Sequence, residues 1–478
     1  MGDAALQMYH SLPSPVRSLV ATMYGARLRA WRYGSETETL VSEALARDYW
    51  DAEKWKTWQE NQLGLLLHRA VTKVPFYRDL WTERRRRGDR SSCEYLENWP
   101  ILEKESLRRN PRAFLADDCN FRRMRREHTS GTTGKSLQLW RSKQCDRGWY
   151  ALFEARTLRW QGLSRNDRWA IFGGQLVTPV KEGRPPFWVW NAAVNQLYMS
   201  SYHLAPDLVP YYLKALKHYR ITYLLGYTSA LHTLAQEILR LGNSDIELSM
   251  VITNAEPVFE HQRDVISQAF QCPLRETYGM AEISFAASEC GAGRLHTWPE
   301  VGIGEIMQGN ELVADGQAGD LICTGLMNLD MPLIRYRVGD RGTFSSDQRM
   351  CECGRLLPQM DSIEGRADDV LYSPDGRLIG RLDPVFKGNL PVREAQIIQE
   401  TLNRVRLRFV PAPDYRTEDG KALATRIRER MGSVEVILEA VNEIPRSANG
   451  KFRAVICNLP SDKRLQLHGR KIAAGSRN

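Results

Sequence analysis

The chain has 478 residues, 42% of them hydrophobic and 26% charged, which excludes a disordered polymer or a minimal domain and points to a large unit with a smaller one. Lys plus Arg number 66 against 57 Asp plus Glu, a net charge of +9 that suits anionic ligands such as nucleotides or CoA-like phosphates. No apolar stretch reaches the ~18–20 residues of a membrane span, and no signal-peptide layout is present, so a cytoplasmic protein with no membrane span is expected.

The first 80 residues read as a helical lead-in. Leu40, Ala44 and Leu45 precede Trp55, Trp58, Leu63, Leu66, Leu67 and Ala70, and Val74-Pro75 ends the pattern because proline cannot continue a helix. The run Arg84–Arg87 and the group Arg122, Arg123, Arg125 and Arg126 read as solvated faces. No recognition helix, zinc finger or aromatic–basic ribonucleoprotein motif accompanies them, so no nucleic-acid partner is expected. From about Glu127 the pattern becomes α/β. Strands are expected at Trp169–Phe172, Thr222–Leu225 and Ser249–Thr253, and helices at Leu208–Tyr219, Ser229–Leu241 and Glu260–Phe270, an alternation that implies buried parallel sheet. Gly302–Phe344 reads as shorter strands with Gly and Asp turns. Beyond Gly365–Asp369, about 95 residues alternate strand and helix candidates. The expected organisation is a large α/β domain over 1–366 with a β-rich subdomain, a small α+β domain over 367–460, and a basic tail over 461–478.

The most informative string is Thr129-Ser130-Gly131-Thr132-Thr133-Gly134-Lys135. Its glycines let backbone approach phosphate oxygens, its hydroxyls and N–H groups can bind them, and Lys135 adds charge. It is not the nucleotide-triphosphatase phosphate loop, whose first glycine would fall at Thr129.

The string resembles the phosphate-binding loop of the adenylate-forming enzymes, the superfamily of acyl-CoA synthetases and peptide-synthetase adenylation domains. Further motifs follow in that superfamily's order. Thr253-Asn254-Ala255-Glu256-Pro257 is similar to its adenine-pocket segment, implying that Ala255, Glu256 and Pro257 line the base. Glu276-Thr277-Tyr278-Gly279-Met280-Ala281-Glu282 resembles the segment in which Thr277 and Tyr278 lie at the nucleotide and Glu282 holds Mg²⁺, a task suited to a hard carboxylate oxygen. Tyr336-Arg337-Val338-Gly339-Asp340 resembles the ribose segment, with Asp340 accepting from both hydroxyls. Gly365-Arg366-Ala367-Asp368-Asp369 resembles the hinge, implying Arg366 near ribose or phosphate and Asp368 as pivot. Ile444–Lys451 ends on the lysine matching the superfamily's catalytic lysine, so Lys451, Glu282, Thr129 and Lys135 are the implied catalytic residues.

Resemblance extends over nearly the whole chain and is nearest to the phenylacetate–CoA ligase and CapK-like branch, through stretches such as Val74-Pro75-Phe76-Tyr77 and Ser201-Tyr202-His203-Leu204. By family position, Phe172, Gly173, Tyr202, Gly226 and Tyr227 are the implied acid pocket. Cys290, His296, Cys351 and Cys353 form a second constellation. Two thiolates in C-x-C spacing with a further Cys and His suit tetrahedral zinc, and structural zinc is implied by the branch as well; reduced core cysteines are the alternative.

The expected activity is an ATP-dependent carboxylate ligase. It would form an acyl-AMP from a small carboxylic acid with ATP and Mg²⁺, then transfer the acyl group to a thiol, with CoA the acceptor implied by the resemblance. An amine or hydroxyl acceptor, or a non-catalytic nucleotide-binding homologue, is the alternative. A homodimer is compatible with either.

Overall fold

The computed structural model describes residues 3–128, 137–179, 181–205, 207–242, 246–256, 258, 260–347, 349–364, 371–376, 378–379, 382, 385, 391–444 and 455–460. The loop Thr129–Lys135, Pro257, the hinge segment with Arg366 and Asp368, Lys451 and the basic tail lie outside the described residues.

The lead-in is helical as expected: α1 (Asp3–Ser11), α2 (Ser14–Arg32), α3 (Thr37–Arg47), α4 (Ala52–Lys73) and α5 (Pro75–Arg86). Asp51 caps α4, its carboxylate accepting from Lys54 N at 2.8 Å. Pro75 does more than stop α4. It opens α5 at a first-turn position, where a missing N–H costs nothing.

Among the described residues, thirteen strands form one sheet. Toward one edge of it, Gln196–Ser200, Trp169–Gly173, Tyr223–Tyr227, Met250–Asn254 and Leu274–Gly279 run parallel in that spatial order. Helices Val209–His218, Thr228–Leu241 and Glu260–Phe270 provide the crossovers, and Leu216, Leu231, Leu234 and Ile266 pack against Leu224 and Val251 in one core. Tyr223–Tyr227 and Met250–Asn254 are buried along nearly their whole length because both faces of the sheet are covered there. The β-rich part is not a detached layer. Leu274–Gly279 pairs in parallel with Met250–Asn254 and antiparallel with Ala286–Glu289, so one strand joins the two halves.

Beyond it lie Leu295–Thr297, Gln359–Glu364, Tyr336–Phe344, Gly319–Gly325 and Gly302–Gln308, all antiparallel. The C-terminal domain has its own sheet, ordered Glu435–Ala440, Arg404–Pro411, Val392–Thr401, Val455–Cys457, with helix Thr417–Met431. Leu423, Ile427 and Met431 from that helix meet Ile397, Leu407 and Phe409 in a separate core.

Candidate active site

The junction strand Leu274–Gly279 puts two halves of a site together. Ligands in open α/β sheets collect beyond the carboxyl ends of the parallel strands, where Tyr278 and Gly279 emerge. The Tyr278 hydroxyl donates to Asp340 Oδ2 at 2.6 Å, joining residues 62 apart in sequence. Burial first, and then the Asp340 charge, push the phenol well above its ordinary range, so it stays a donor. Asp340 lies in Tyr336–Phe344, next to Gly339, whose φ of +82° suits glycine. Four residues earlier on that strand, the Tyr336 hydroxyl donates to Glu282 Oε1 at 3.0 Å. Glu282 is buried in the turn after Gly279, where Ile283 N bonds Met280 O at 3.1 Å. Two carboxylates, Glu282 and Asp340, are thus each oriented by a phenol.

The loop after Met250–Asn254 completes this edge. Ala255 has φ of +65°, a left-handed conformation uncommon for a residue with a Cβ. Thr228 Oγ1 donates to Glu256 O at 3.2 Å and holds the loop to the neighbouring helix. The Asn254 side-chain oxygen is buried and without a hydrogen-bond partner among the described residues, an acceptor ready for a ligand's donor.

At the ends of Trp169–Gly173 and Tyr223–Tyr227, three tyrosines grip the turn Gly173–Gln175. Tyr202 donates to Gly174 O at 3.0 Å, Gly174 N donates to the Tyr227 hydroxyl at 3.2 Å, and Gln175 N donates to the Tyr198 hydroxyl at 3.2 Å. A Cβ at Gly226 would stand 2.8 Å from Phe172 O, so glycine is needed for strand contact there. Phe172 itself is fully buried and stacks on Tyr212 at 5.9 Å. The C-terminal domain reaches this corner, its Arg430 lying 5.9 Å over the Tyr202 ring.

A second cluster lies at the far end of the junction. Cys290 and His296 flank the hairpin turn between Ala286–Glu289 and Leu295–Thr297, and Cys351 and Cys353 sit on a turn closed by Gly354 N to Cys351 O at 2.8 Å. The four potential ligand atoms all lie within 4.8 Å of one another. Cys290 Sγ and Cys351 Sγ are 3.7 Å apart, and Cys353 Sγ is 3.5 Å from His296 Nε2. A tetrahedral zinc with ordinary bond lengths would set such pairs at about 3.8 and about 3.6 Å, whereas a disulfide needs about 2.05 Å. His296 Nδ1 pairs with Leu357 O at 3.1 Å, which leaves Nε2 as the metal-facing nitrogen. Burial above all holds this imidazole below its usual pKa, in the neutral, ligating form.

The cluster is tied to the lead-in helices. Trp160 meets His296 edge-on at 5.9 Å, and Arg355 lies 4.3 Å over the Trp160 ring. Trp160 Nε1 donates to Asp48 Oδ2 at 2.7 Å, and fully buried Arg156 bonds Asp48 at 2.8 Å and Glu300 at 2.6 and 2.9 Å.

Residues 371–458 match the CapK C-terminal domain family. Protein CapK of Staphylococcus aureus is 26% identical over 394 residues, covering 80% of this chain and 85% of its own. A phenylacetate–coenzyme A ligase of Thermus thermophilus is 26% identical over 465 residues, covering 89% and 99% respectively. The chain is a homologue of CapK and of the phenylacetate–coenzyme A ligases. Its fold is that of the adenylate-forming enzymes: 2-hydroxyisobutyryl-CoA ligase, solved with 2-HIB-AMP and CoA in its thioesterification state, superposes with a TM-score of 0.56 at 18% identity over 89% of this chain and 94% of that one.

Within that fold, the implied nucleotide residues that are described, Ala255, Glu256, Thr277, Tyr278 and Asp340, with Glu282, gather around the junction strand and its neighbours. Thr277 is held by Ser288 Oγ at 3.2 Å, which also contacts Thr157 at 3.0 Å. Sequence reasoning passed over Asn254, Tyr336 as the partner of Glu282, and Tyr198. Asn254 and Tyr336 stood inside the quoted motifs; Tyr198 carried no signal, since it acts through a turn 23 residues away.

Proposed function

We propose that this chain is an AMP-forming acid–thiol ligase that activates a small carboxylic acid with ATP and passes the acyl group to CoA. The observation that carries the reading is the pair of phenol-held carboxylates, Asp340 on strand Tyr336–Phe344 and Glu282 in the turn after Gly279, with Asp340 bonded by Tyr278 of the junction strand. Named phenylacetate–CoA ligases among the homologues support the CoA acceptor.

In this reading Asp340 accepts from both ribose hydroxyls, two bonds in place of its one from Tyr278. Tyr278 keeps its ring beside the base, and the unpartnered Asn254 oxygen accepts from the adenine amine. Glu282 would hold magnesium, which spreads the phosphate charge. The acid, seated near Gly173, Tyr202, Gly226 and Tyr227, attacks the α-phosphorus with one carboxylate oxygen, and pyrophosphate leaves with the bonding pair. Thr129–Lys135 and Lys451 stabilise charge developing on the phosphate oxygens, and Arg366 and Asp368 belong to the ribose contact and the hinge between domains 1–366 and 367–460. The CoA thiolate then attacks the acyl carbon, and AMP departs. ATP and CoA as substrates place this reaction in the cytoplasm.

The Cys290, His296, Cys351 and Cys353 set would hold zinc in a structural role, because four ligands close the coordination sphere and leave no open position for chemistry.

The deciding experiment is acid-dependent ATP–pyrophosphate exchange across aryl, fatty, hydroxy and amino acids, followed by mass identification of the product with CoA. Exchange and a CoA thioester are expected. Exchange without a thioester, but with an amide or ester on added amine or sugar, would move the acceptor to nitrogen or oxygen. No exchange with any acid would leave a nucleotide-binding homologue.

A further inference from the structure

Helix α2, led in by α1, lies along the edge strand Trp188–Asn191 of the large sheet and is firmly seated by its inner face. Arg17 is buried, donating to Val177 O at 3.3 Å and Thr178 Oγ1 at 3.2 Å. Thr22 bonds strand Trp188–Asn191 and its end through Trp190 O at 3.4 Å and Ala192 N at 3.1 Å. Gly25 is buried with no room for a Cβ beside the Asn191 amide.

The outer face is different. Met8 is 69% exposed, Leu19 59%, Met23 68% and Tyr24 60%, with Val16 and Val20 beside them. These are six of the seventeen exposed large hydrophobic side chains among the described residues, gathered within 17 positions, a density that scattered surface residues do not produce. Val16, Val20, Met23 and Arg27 follow at i, i+4, i+7 and i+11, so the stripe runs along one side of α2 and ends on a cation.

Charge selects the occupant. From Ala4 to Ser35 there are four arginines and no Asp or Glu. Arg27 and Arg29 are exposed at the C-terminal end of the stripe, and Arg29 also bonds Ala193 O at 3.0 Å. A second copy would set arginines against arginines, and one helix pair buries less than the roughly 1,200–2,000 Å² of a stable interface. An anionic lipid surface offers both an apolar layer for Met8, Leu19, Met23 and Tyr24 and phosphates for the arginines.

We propose that the outer face of α1–α2 is a peripheral docking surface for anionic membranes. The helices lie in the headgroup–acyl boundary with the apolar stripe inward and Arg27 and Arg29 at the phosphates. They do not span it, in keeping with the absence, among the described residues, of any helix long and apolar enough to cross a membrane. This surface is independent of the ligase reading.

The test is sedimentation of the full chain with vesicles of phosphatidylcholine alone and of phosphatidylcholine with phosphatidylglycerol, at physiological salt, with light scattering on the same samples. The wild type sediments with the anionic vesicles only, and hydrogen exchange in residues 3–32 slows when they are present. The double variant L19E/M23E keeps its unfolding temperature, because both side chains face solvent, and loses binding by about tenfold or more. Arg27→Glu, a second variant on the exposed face, loses part of it. The proposal is overturned if the wild type binds neither vesicle or both alike, or if L19E/M23E sediments as the wild type does, which would assign binding to other basic segments such as Arg84–Arg87. It is equally overturned if the wild type is a dimer that L19E/M23E dissociates.

Discussion

Two polar clusters stand at opposite ends of the junction strand, and they are prepared in different ways. In the Cys–His cluster, four donor atoms converge within 4.8 Å and one ring nitrogen is fixed from behind by a backbone carbonyl. At the other end, Asp340 and Glu282 are each held by a tyrosine hydroxyl, at 2.6 and 3.0 Å. The first arrangement closes on one small occupant and has no opening for anything else. The second keeps its acceptors oriented with bonds that a ligand can replace. Sites that hold the fold are built shut, and sites that turn over substrate are built with exchangeable partners.

If that contrast is right, damage to the closed cluster appears in stability. The largest effect is expected from Cys351→Ser. Apparent zinc binding in small metal-dependent folds amounts to about 10–16 kcal/mol, and a large domain with its own core should lose a fraction of that, on the order of several kcal/mol. Metal analysis should give one zinc per wild-type chain and none in the variant, with a lower unfolding midpoint. A zinc-free wild type of full stability would break the comparison at its root.

Next comes Arg156→Met, which leaves Asp48 and Glu300 buried opposite a thioether. Burial pushes both carboxyls up; at Glu300 the Arg156 and Arg47 guanidiniums outweigh it and hold the group below its ordinary value, whereas at Asp48 burial outweighs Arg156 and Arg355 and the group stays above it. Removing one partner of a buried ion network typically costs about 3–5 kcal/mol, read here as a shift in denaturant midpoint. Pyrophosphate exchange per folded molecule should stay close to wild type, since Arg156 contacts Asp48 and Glu300 and not Tyr278, Asp340 or Glu282.

Lys451→Ala should do the reverse. Losing one charge-stabilising donor lowers adenylation by about 10²–10³-fold, equivalent to about 2.7–4 kcal/mol in the barrier, with no change in unfolding temperature. Unchanged exchange in this variant would remove Lys451 from the chemistry.

These two kinds of residue were not equally legible in the sequence. Three of the five parallel strands, Trp169–Gly173, Tyr223–Tyr227 and Met250–Asn254, were readable because each is a short apolar run ahead of a glycine or polar turn, and all three lie within two residues of their expected positions; Gln196–Ser200 and the polar Leu274–Gly279 were not foreseen. What periodicity does not carry is which strands pair. The single thirteen-stranded sheet depends on Leu274–Gly279 having one parallel and one antiparallel neighbour, a fact of register between distant segments. Cys290, His296, Cys351 and Cys353 were named together from residue type, C-x-C spacing and the resemblance; what spacing alone does not carry is the closure across some sixty residues and two hairpins that brings their donor atoms together. The motifs named Asp340 and Glu282, yet nothing local told that Tyr278 and Tyr336 would orient them. Nothing in the local sequence singled out Arg156. It lies in the π-helical segment Glu154–Leu158, fully buried, and bonds Asp48 and Glu300 from segments more than a hundred residues away in sequence.

The finest test is Tyr336→Phe, which alters one hydroxyl on the exchangeable side. Tyr336 is fully buried, so the ring and its packing remain while the 3.0 Å bond to Glu282 is lost. A bond to a charged acceptor is worth about 1.5–3 kcal/mol, but Glu282 lies at the edge of burial and water can substitute for part of it. The stability change should therefore be small, about 1 kcal/mol. The cost should appear in the magnesium dependence, because a carboxylate that is no longer oriented must be ordered when the ion binds. That raises the magnesium concentration for half-maximal pyrophosphate exchange by about fivefold, the equivalent of about 1 kcal/mol, while the rate at saturating magnesium stays close to wild type. A fall in the saturated rate with no change in magnesium dependence would mean that Tyr336 serves the reacting phosphate instead. An unfolding shift as large as that of Cys351→Ser would erase the distinction between a closed cluster and an exchangeable one.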